Sequence, residues 1–389
     1  MRKQWKGTLA VMTALALAGT GCGGPGGATG KGEGGPPTAN IATVLTMSGF
    51  AAVFGQQQKS GIDLAVEKLR TDKVADLKVV AAEDTGAANA TALNAYRKAV
   101  AQEPAVVFGP ILGTMVLAMR GEIDRNSIPL ITTAATTSLT QNNNKNIFRN
   151  FANSSMTIKA TAQFAFDKQG LKKPAILADN TSFGSDAALL RAEITKRGLK
   201  AVADESADTT ATDVTGQVSR IIRSGADSVF LQLLTGSPLA LAVKTLRSNG
   251  FTGQIYAAPG MTSPSTLDLL SESEAKDIYS AGLALDTTGG AGADFAAAFK
   301  QQYGKDPDIY AAVMYDSVML LGKAVSEGKS TAADLRAALR DANYTGVSGV
   351  FHSDAEGNLV HTVSILKFGD GKKASVDQDI DVQTEATNG

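Results

Sequence analysis

Two separate series of short apolar runs, each run followed by a helical repeat, constrain this chain more than any other feature. In the first series, residues 41–45, 77–81, 105–108 and 129–131 read as buried strands. Between them, Ile62, Ala65, Val66 and Leu69 fall at i, i+3, i+4 and i+7, one face of a helix, and 90–101 and 115–124 read as two further helices. The rhythm resumes with strands at 175–178, 201–204, 228–233 and 254–257 and helices at 185–197, 214–224 and 239–248. Helices follow at 309–324 and 332–342, then a strand over 361–368 and a polar tail of about a dozen residues. This alternation predicts an α/β fold of two doubly wound parallel-sheet lobes. With 389 residues, 43% of them hydrophobic, the chain can fill two such cores.

The first 38 residues stand outside this pattern. Arg2, Lys3 and Lys6 precede an apolar run of about ten residues, 8–17, too short for the ~20 residues of a membrane span but suited to an export signal over 1–21. Small residues lead to Cys22, the single cysteine, in an arrangement that resembles a bacterial lipoprotein lipobox with Gly19 where an apolar residue is usual. Cys22 is therefore the expected lipid-attachment residue; a plain cleaved signal is the alternative. Residues 23–38 hold eight Gly and three Pro and predict a flexible tether with a reach of roughly 20–25 Å. The Gly30-x-Gly32-x-x-Gly35 pattern in this tether follows no strand and opens no helix, so it is no dinucleotide site.

Several function classes drop out. Lys plus Arg number 37 against 38 Asp plus Glu, without the basic excess of a nucleic-acid binder. One cysteine and two histidines, His352 and His361, exclude a disulfide within the chain and a Cys- or His-rich metal centre. The sequence has no G-x-S-x-G elbow, no H-E-x-x-H and no complete phosphate-binding loop; Gly328-Lys329-Ser330 only imitates the end of one. No enzymatic activity, cofactor or metal is expected.

In open parallel sheets, ligands bind beyond the carboxyl ends of the strands. The loops at 46–55, 109–114, 132–140, 179–185, 234–238 and 258–263 are rich in Gly, Ser and Thr and nearly free of charge. Such loops at helix N-termini can hold an anionic group on backbone N–H groups without a cation. A single hydroxyl there is most simply a helix cap, but Thr132, Thr133, Thr136 and Thr137 exceed what one cap needs.

At these loops the chain resembles the extracytoplasmic solute-binding proteins of ABC importers, the branched-chain amino-acid-binding type with the type I periplasmic-binding fold. Thr46-Met47-Ser48-Gly49, Phe54-Gly55, Glu83-Asp84, Gly109-Pro110-Ile111-Leu112-Gly113-Thr114, Ala134-Ala135-Thr136, Ser182-Phe183-Gly184, Tyr315-Asp316 and Gly346-x-x-Gly349 carry the resemblance, in order, over nearly all of residues 40–370. It implies a small-molecule ligand, closure of two lobes by a hinge, a membrane permease as partner, membrane attachment through the lipid, and a monomer. It places lobe 1 at 40–148 plus 285–352 and lobe 2 at 149–284 plus 353–386, joined by crossover strands. Phe54, Leu112, Gly113, Thr114, Ala134, Ala135 and Thr136 are the implied ligand residues of lobe 1. Phe183, Gly236, Ser237, Pro259 and Gly260 are those of lobe 2. Tyr315 and Asp316, on a long helix, read instead as packing and solvated positions.

Departures from the family pattern bear on the ligand. Pro259 stands where amino-acid binders carry the acid that pairs with an ammonium group, Gly113 stands for the usual serine, and Phe54 and Phe183 stand for tyrosines. A buried ammonium without a carboxylate would cost several kcal/mol. The expected ligand is a small carboxylate or amide with an apolar body. The same fold serves sensory receptors that signal to a membrane partner, and that role is the alternative.

Overall fold

The computed structural model describes residues 35–380 apart from positions 87, 181 and 373 and the side chains of 182–185. The expected export signal, Cys22 and most of the tether therefore lie outside the described residues, as do the Phe183 side chain and residues 381–386.

Two sheets organise the described chain. The first holds β1 (Thr38–Leu45), β2 (Asp76–Asp84), β3 (Val106–Phe108), β4 (Leu130–Thr132) and β5 (Ile147–Arg149) in the order β2-β1-β3-β4-β5, parallel throughout. Helices α1 (Ala52–Thr71), α2 (Asn89–Val100) and α3 (Gly113–Asn126) connect its strands. Ile41, Val44, Val106, Val107, Leu130 and Ile131 are fully buried, as strands covered on both faces must be.

Helix α4 (Ser154–Ala162) leads into the second sheet through a π-helical turn at Gln163–Lys168. That sheet contains β6 (Pro174–Asp179), β7 (Ala203–Ala207), β8 (Ser228–Gln232), β9 (Gln254–Ala257) and β10 (Ile278–Gly282), mutually parallel. Its helices are α5 (Ser182–Lys196), α6 (Thr215–Arg223), α7 (Ser237–Ser248) and the short α8 (Pro264–Leu267) and α9 (Glu272–Ala275).

The chain then returns to the first sheet with α10 (Gly290–Tyr303), α11 (Ile309–Ser326) and α12 (Ala332–Arg340). Strands β11 (Asn343–Gly346), β12 (Gly349–Ser353) and β13 (Leu359–His361) form a small antiparallel sheet. Finally β14 (Val363–Phe368) and β15 (Ala374–Ile380) add antiparallel strands to the second sheet, in the order β15-β14-β10-β9-β8-β6-β7. The polar tail thus begins as an edge strand. The fold is two α/β lobes, the second with a mixed sheet.

Helix α11 is long and apolar enough to cross a membrane, yet 15 of its 18 residues are buried, so it is a core helix. It crosses α1 so closely that a Cβ on Gly61 would lie 2.1 Å from the carbonyl oxygen of Ala311. Only glycine allows that approach. Asp316, expected in solvent, is 1% exposed. Its carboxylate accepts the N–H groups of Val347 (2.9 Å) and Ser348 (2.7 Å), and a Cβ on Gly346 would lie 2.2 Å from it. The Tyr315-Asp316 and Gly346-x-x-Gly349 patterns are therefore one structural unit in which the acid closes the β11–β12 turn.

Candidate functional site

A cavity opens beyond the carboxyl ends of the two parallel sheets. It has a volume of ≈ 50 Å³ for the centres of water-sized spheres. One water needs roughly 10–15 Å³ on that measure, so the space suits a small solute.

The wall on the side of the first sheet is made of loops and backbone. Phe54 meets Tyr310 edge-on at 5.1 Å, and Tyr310 stacks on Phe151 at 4.9 Å, giving an aromatic floor. Above it, Leu112 and Gly113 open α3, and Leu112 supplies no side-chain cap. The first N–H groups of that helix have no partner within the helix, and its dipole favours an anion there. Thr133, Ala135 and Thr136 follow β4. The Thr132 hydroxyl fixes this loop by donating to the Pro110 carbonyl (2.6 Å) and accepting from the Ala134 N–H (3.0 Å). Gln58 holds the Thr133 hydroxyl at 2.9 Å.

The two loops meet at Gly113, where a Cβ would lie 2.0 Å from the Thr136 hydroxyl oxygen. The threonine hydroxyl thus fills the space that a side chain at 113 would occupy. That is the physical meaning of glycine at a position where the resemblance leads one to expect serine.

A cation stands behind the Thr136 loop. Arg149, at the end of β5, is 0% exposed and donates to the carbonyl oxygens of Thr136 (3.0 Å) and Thr137 (3.3 Å) and to the Thr140 hydroxyl (3.2 Å). Burial lowers its pKa to about 10, opposed by the charges of Asp354 and Glu356, so it stays protonated at neutral pH. Thirteen residues separate Arg149 from Thr136, so the absence of a cation near the loops in sequence does not carry over to the fold.

The opposite wall is a helix face. Asn153 caps α4 by accepting the Met156 N–H at 2.9 Å. Ser154, Thr157, Ile158 and Thr161 then line the cavity at i, i+3, i+4 and i+7. The Thr157 and Thr161 hydroxyls donate back to the carbonyls of Ser154 (3.2 Å) and Thr157 (2.8 Å), which leaves their methyl groups to the cavity. Gln232, Leu234, Ala257, Ala258, Pro259 and Ala281 complete this side.

Asp186, on α5, is the one charged side chain among the cavity-lining residues. The Ser154 hydroxyl donates to it at 2.7 Å. Burial pushes its pKa up to about 6, and the Ser154 bond opposes that rise. Among the described residues it forms no ion pair. It lies one residue beyond the 179–185 loop, which is why sequence reasoning missed it.

Of the residues expected at the site, Phe54, Leu112, Gly113, Ala135, Thr136 and Pro259 line the cavity. Thr114 and Ser237 point to solvent, and Ala134 is buried in the core behind β4. Gly236 and Gly260 are buried and do not line the cavity; they are tied through the Thr266 hydroxyl, which accepts from the Gly236 N–H (2.8 Å) and donates to the Gly260 carbonyl (3.1 Å). The side chain of Phe183 lies outside the described residues. Sequence reasoning missed Tyr310, Phe151, Arg149, the α4 face and Asp186. The asparagine cap and the 3–4 spacing after it were the available signal for α4.

A family model described as periplasmic binding protein matches residues 38–373. No curated protein matches the chain. Among solved structures, the branched-chain amino acid transporter substrate-binding protein LivJ of Streptococcus pneumoniae, in complex with isoleucine, superposes with a TM-score of 0.78 at 21% identity, over 88% of this chain and 99% of that one. The leucine-binding protein LivK of Thermotoga maritima gives 0.75 at 22%, over 88% and 98%. A solute-binding protein of an ABC transporter from R. palustris, in complex with benzoate, gives 0.75 at 18%, over 88% and 96%. At such identities these likenesses speak for the fold.

Proposed function

The chain belongs to the periplasmic binding protein family, and from that premise we propose that it is the extracytoplasmic capture component of an ABC importer, closing its two lobes on a small solute and delivering it to a membrane permease. It is a binding protein and not an enzyme, as its family is. The observation that carries the reading is the cavity between the two sheets, walled by loops of one and by a helix and loops of the other. Following sheet membership, we take one lobe as 38–149 with 290–361 and the other as 154–282 with 363–380. The crossovers between them are the natural hinges.

The ligand is read as a small solute with an apolar body on the Phe54–Tyr310–Phe151 floor. Its carboxylate or amide oxygen takes the Thr136 hydroxyl and the N–H groups that open α3. The buried charge of Arg149 behind that loop supports an anion there.

A thermal-shift screen of amino acids, aromatic acids and short amides on the purified protein tests the reading. A true ligand at 100 times its Kd stabilises by about 2.7 kcal/mol. Absence of any stabilisation across the screen would remove the proposal. We also propose that Cys22 carries the lipid that holds the protein at the outer face of the cell membrane. Cys22→Ala is then expected to shift the protein from the membrane to the soluble fraction with its melting temperature unchanged; equal membrane retention overturns the anchor.

A further inference from the structure

Asp186 departs from every other residue of the cavity wall. All its fellow lining residues are apolar or neutral. Among the described residues its carboxylate has one hydrogen-bond partner, the Ser154 hydroxyl, and no Lys, Arg or His pairs with it. Carboxylates removed from water are costly unless a positive charge or several donors meet them. Asp316 shows the compensated case, collecting two backbone N–H groups and the Ser348 hydroxyl; Asp308 keeps one oxygen without a partner among the described residues but uses the other to cap α11 through the Ala311 N–H (3.0 Å). Asp186 neither collects such a set of donors nor caps a helix, and it lines the cavity.

The rest of the cavity makes the asymmetry sharper. The Thr136 loop carries the α3 N-terminus in front and Arg149 behind, a positive environment. Ser154 links the two sides: its hydroxyl lies 3.3 Å from the Ala135 carbonyl and 2.7 Å from Asp186, and its N–H donates to the Ala135 carbonyl at 2.9 Å. The cavity is therefore dipolar, electropositive at 113–136 and electronegative at 186.

We propose that Asp186, oriented by Ser154, is the subsite for a cationic nitrogen, and that the solute this cleft takes carries an ammonium or similar group as well as its acceptor end. This rests on the solute-capture reading and narrows it. It also replaces the expectation drawn from Pro259. The acid missing from the 258–263 loop is supplied from another element, the first turns of α5.

The other ionisable side chains on α5 and on elements packed against it are Arg191, Glu193 and Lys196 on α5, Lys159 on α4, Asp179 at the end of β6, which accepts the Leu234 N–H, and Asp204 and Glu205 on β7, which accept from Arg191 and Arg220; Tyr310 also lines the cavity. None of them contributes to the raised pKa of Asp186, which comes from burial. A cation bound there would hold Asp186 ionised, so protons would leave on binding and affinity would rise as pH increases through about 6. An acid without an amine would do the reverse.

The test uses two pairs of probes that differ by one amine: isoleucine against 3-methylpentanoate, and 4-(aminomethyl)benzoate against benzoate. Calorimetry at pH 5 and pH 8 is run on the wild-type protein and on D186N, with unliganded melting temperatures at pH 8. In at least one pair, the amine-bearing member is expected to bind tenfold or more tightly than its partner at pH 8, and D186N to bring the two within threefold. Unliganded D186N is expected to melt above wild type at pH 8, because an uncompensated charge has been removed. A lower melting temperature would make Asp186 a structural partner of Ser154 and overturn the proposal. Preference for the amine-free acids, or an amine preference that survives in D186N, overturns it while leaving solute capture intact. No binding by any of the four counts against the small-carboxylate reading as well as this one.

Discussion

The two walls of the cleft are built by different means. On the first sheet's side, above the aromatic floor, the wall presents mostly backbone: the opening of α3, the loop after β4, and a glycine that lets a threonine hydroxyl sit in its side-chain space. On the second sheet's side, the wall presents side chains: a helical face of Ser154, Thr157, Ile158 and Thr161, and the Asp186 carboxylate. Backbone donors are fixed by the fold and tolerate little change around them. Side chains on a helix can be exchanged one at a time. The first wall should therefore set the class of acceptor group that binds, and the second should set what else the solute carries.

The sharpest way to break this contrast is at Gly113. Gly113→Ser places a Cβ 2.0 Å from the Thr136 hydroxyl oxygen and must push the two loops apart. Overpacking of this kind costs about 1–3 kcal/mol of stability, and the displaced loop should cost at least a hundredfold in affinity. Calorimetry and thermal melting together measure it; binding within threefold of wild type would show that the loops are not held in register.

Next in size is the pH profile of Asp186→Asn. The folded-state pKa of about 6 lies above the ordinary value of 3.8. Between these values the folded protein holds a proton that the unfolded chain has lost, so the wild type loses stability as pH rises through that window. The loss approaches roughly 3 kcal/mol above pH 6. The advantage of Asp186→Asn in denaturant unfolding should thus be small near pH 4 and full by pH 7. A flat difference across that range would contradict the burial of the carboxyl.

Thr136→Ala is the milder test of the first wall. It removes one hydroxyl while Arg149 keeps its hold on the loop carbonyl. The expected loss is about 1.5–3 kcal/mol in binding, one to two decades of Kd, with Thr136→Ser retaining most of the affinity. Unchanged affinity in Thr136→Ala would move the acceptor end of the solute elsewhere.

How much of this was legible follows the same division. Strand β9 and helix α11 are readable as apolar runs, and helix α1 through the apolar spacing of Ile62, Ala65, Val66 and Leu69. Strand β5 has three residues, Ile147–Arg149, set among asparagines, too short to register. Helix α4 is hidden in the sequence because much of its buried face is Ser and Thr; Thr157 and Thr161 satisfy their hydroxyls on its own carbonyls, and Ser154 donates to Asp186. The site divides likewise. Gly113 and Thr136 stand in loops whose composition marks them. Arg149 and Asp186 matter only through tertiary approach, one from thirteen residues away and the other from inside a helix.

The junction between β5 and α4 has a mechanical consequence. Asn150 is clamped: its amide donates to the Val313 carbonyl (2.9 Å) and the Ser317 hydroxyl (2.8 Å) of α11, and its oxygen meets His361. Four residues later Ser154 touches the cavity, and Asn153 has already locked the chain into helix. Fulcrum and load thus sit within one helical turn's worth of chain, with no slack between them. On the proposed hinge closure, a solute held against the α4 face would act at the short arm of a lever whose long arm is the entire second sheet. A small displacement at the contact would then be geared into a large one at the lobe's outer rim.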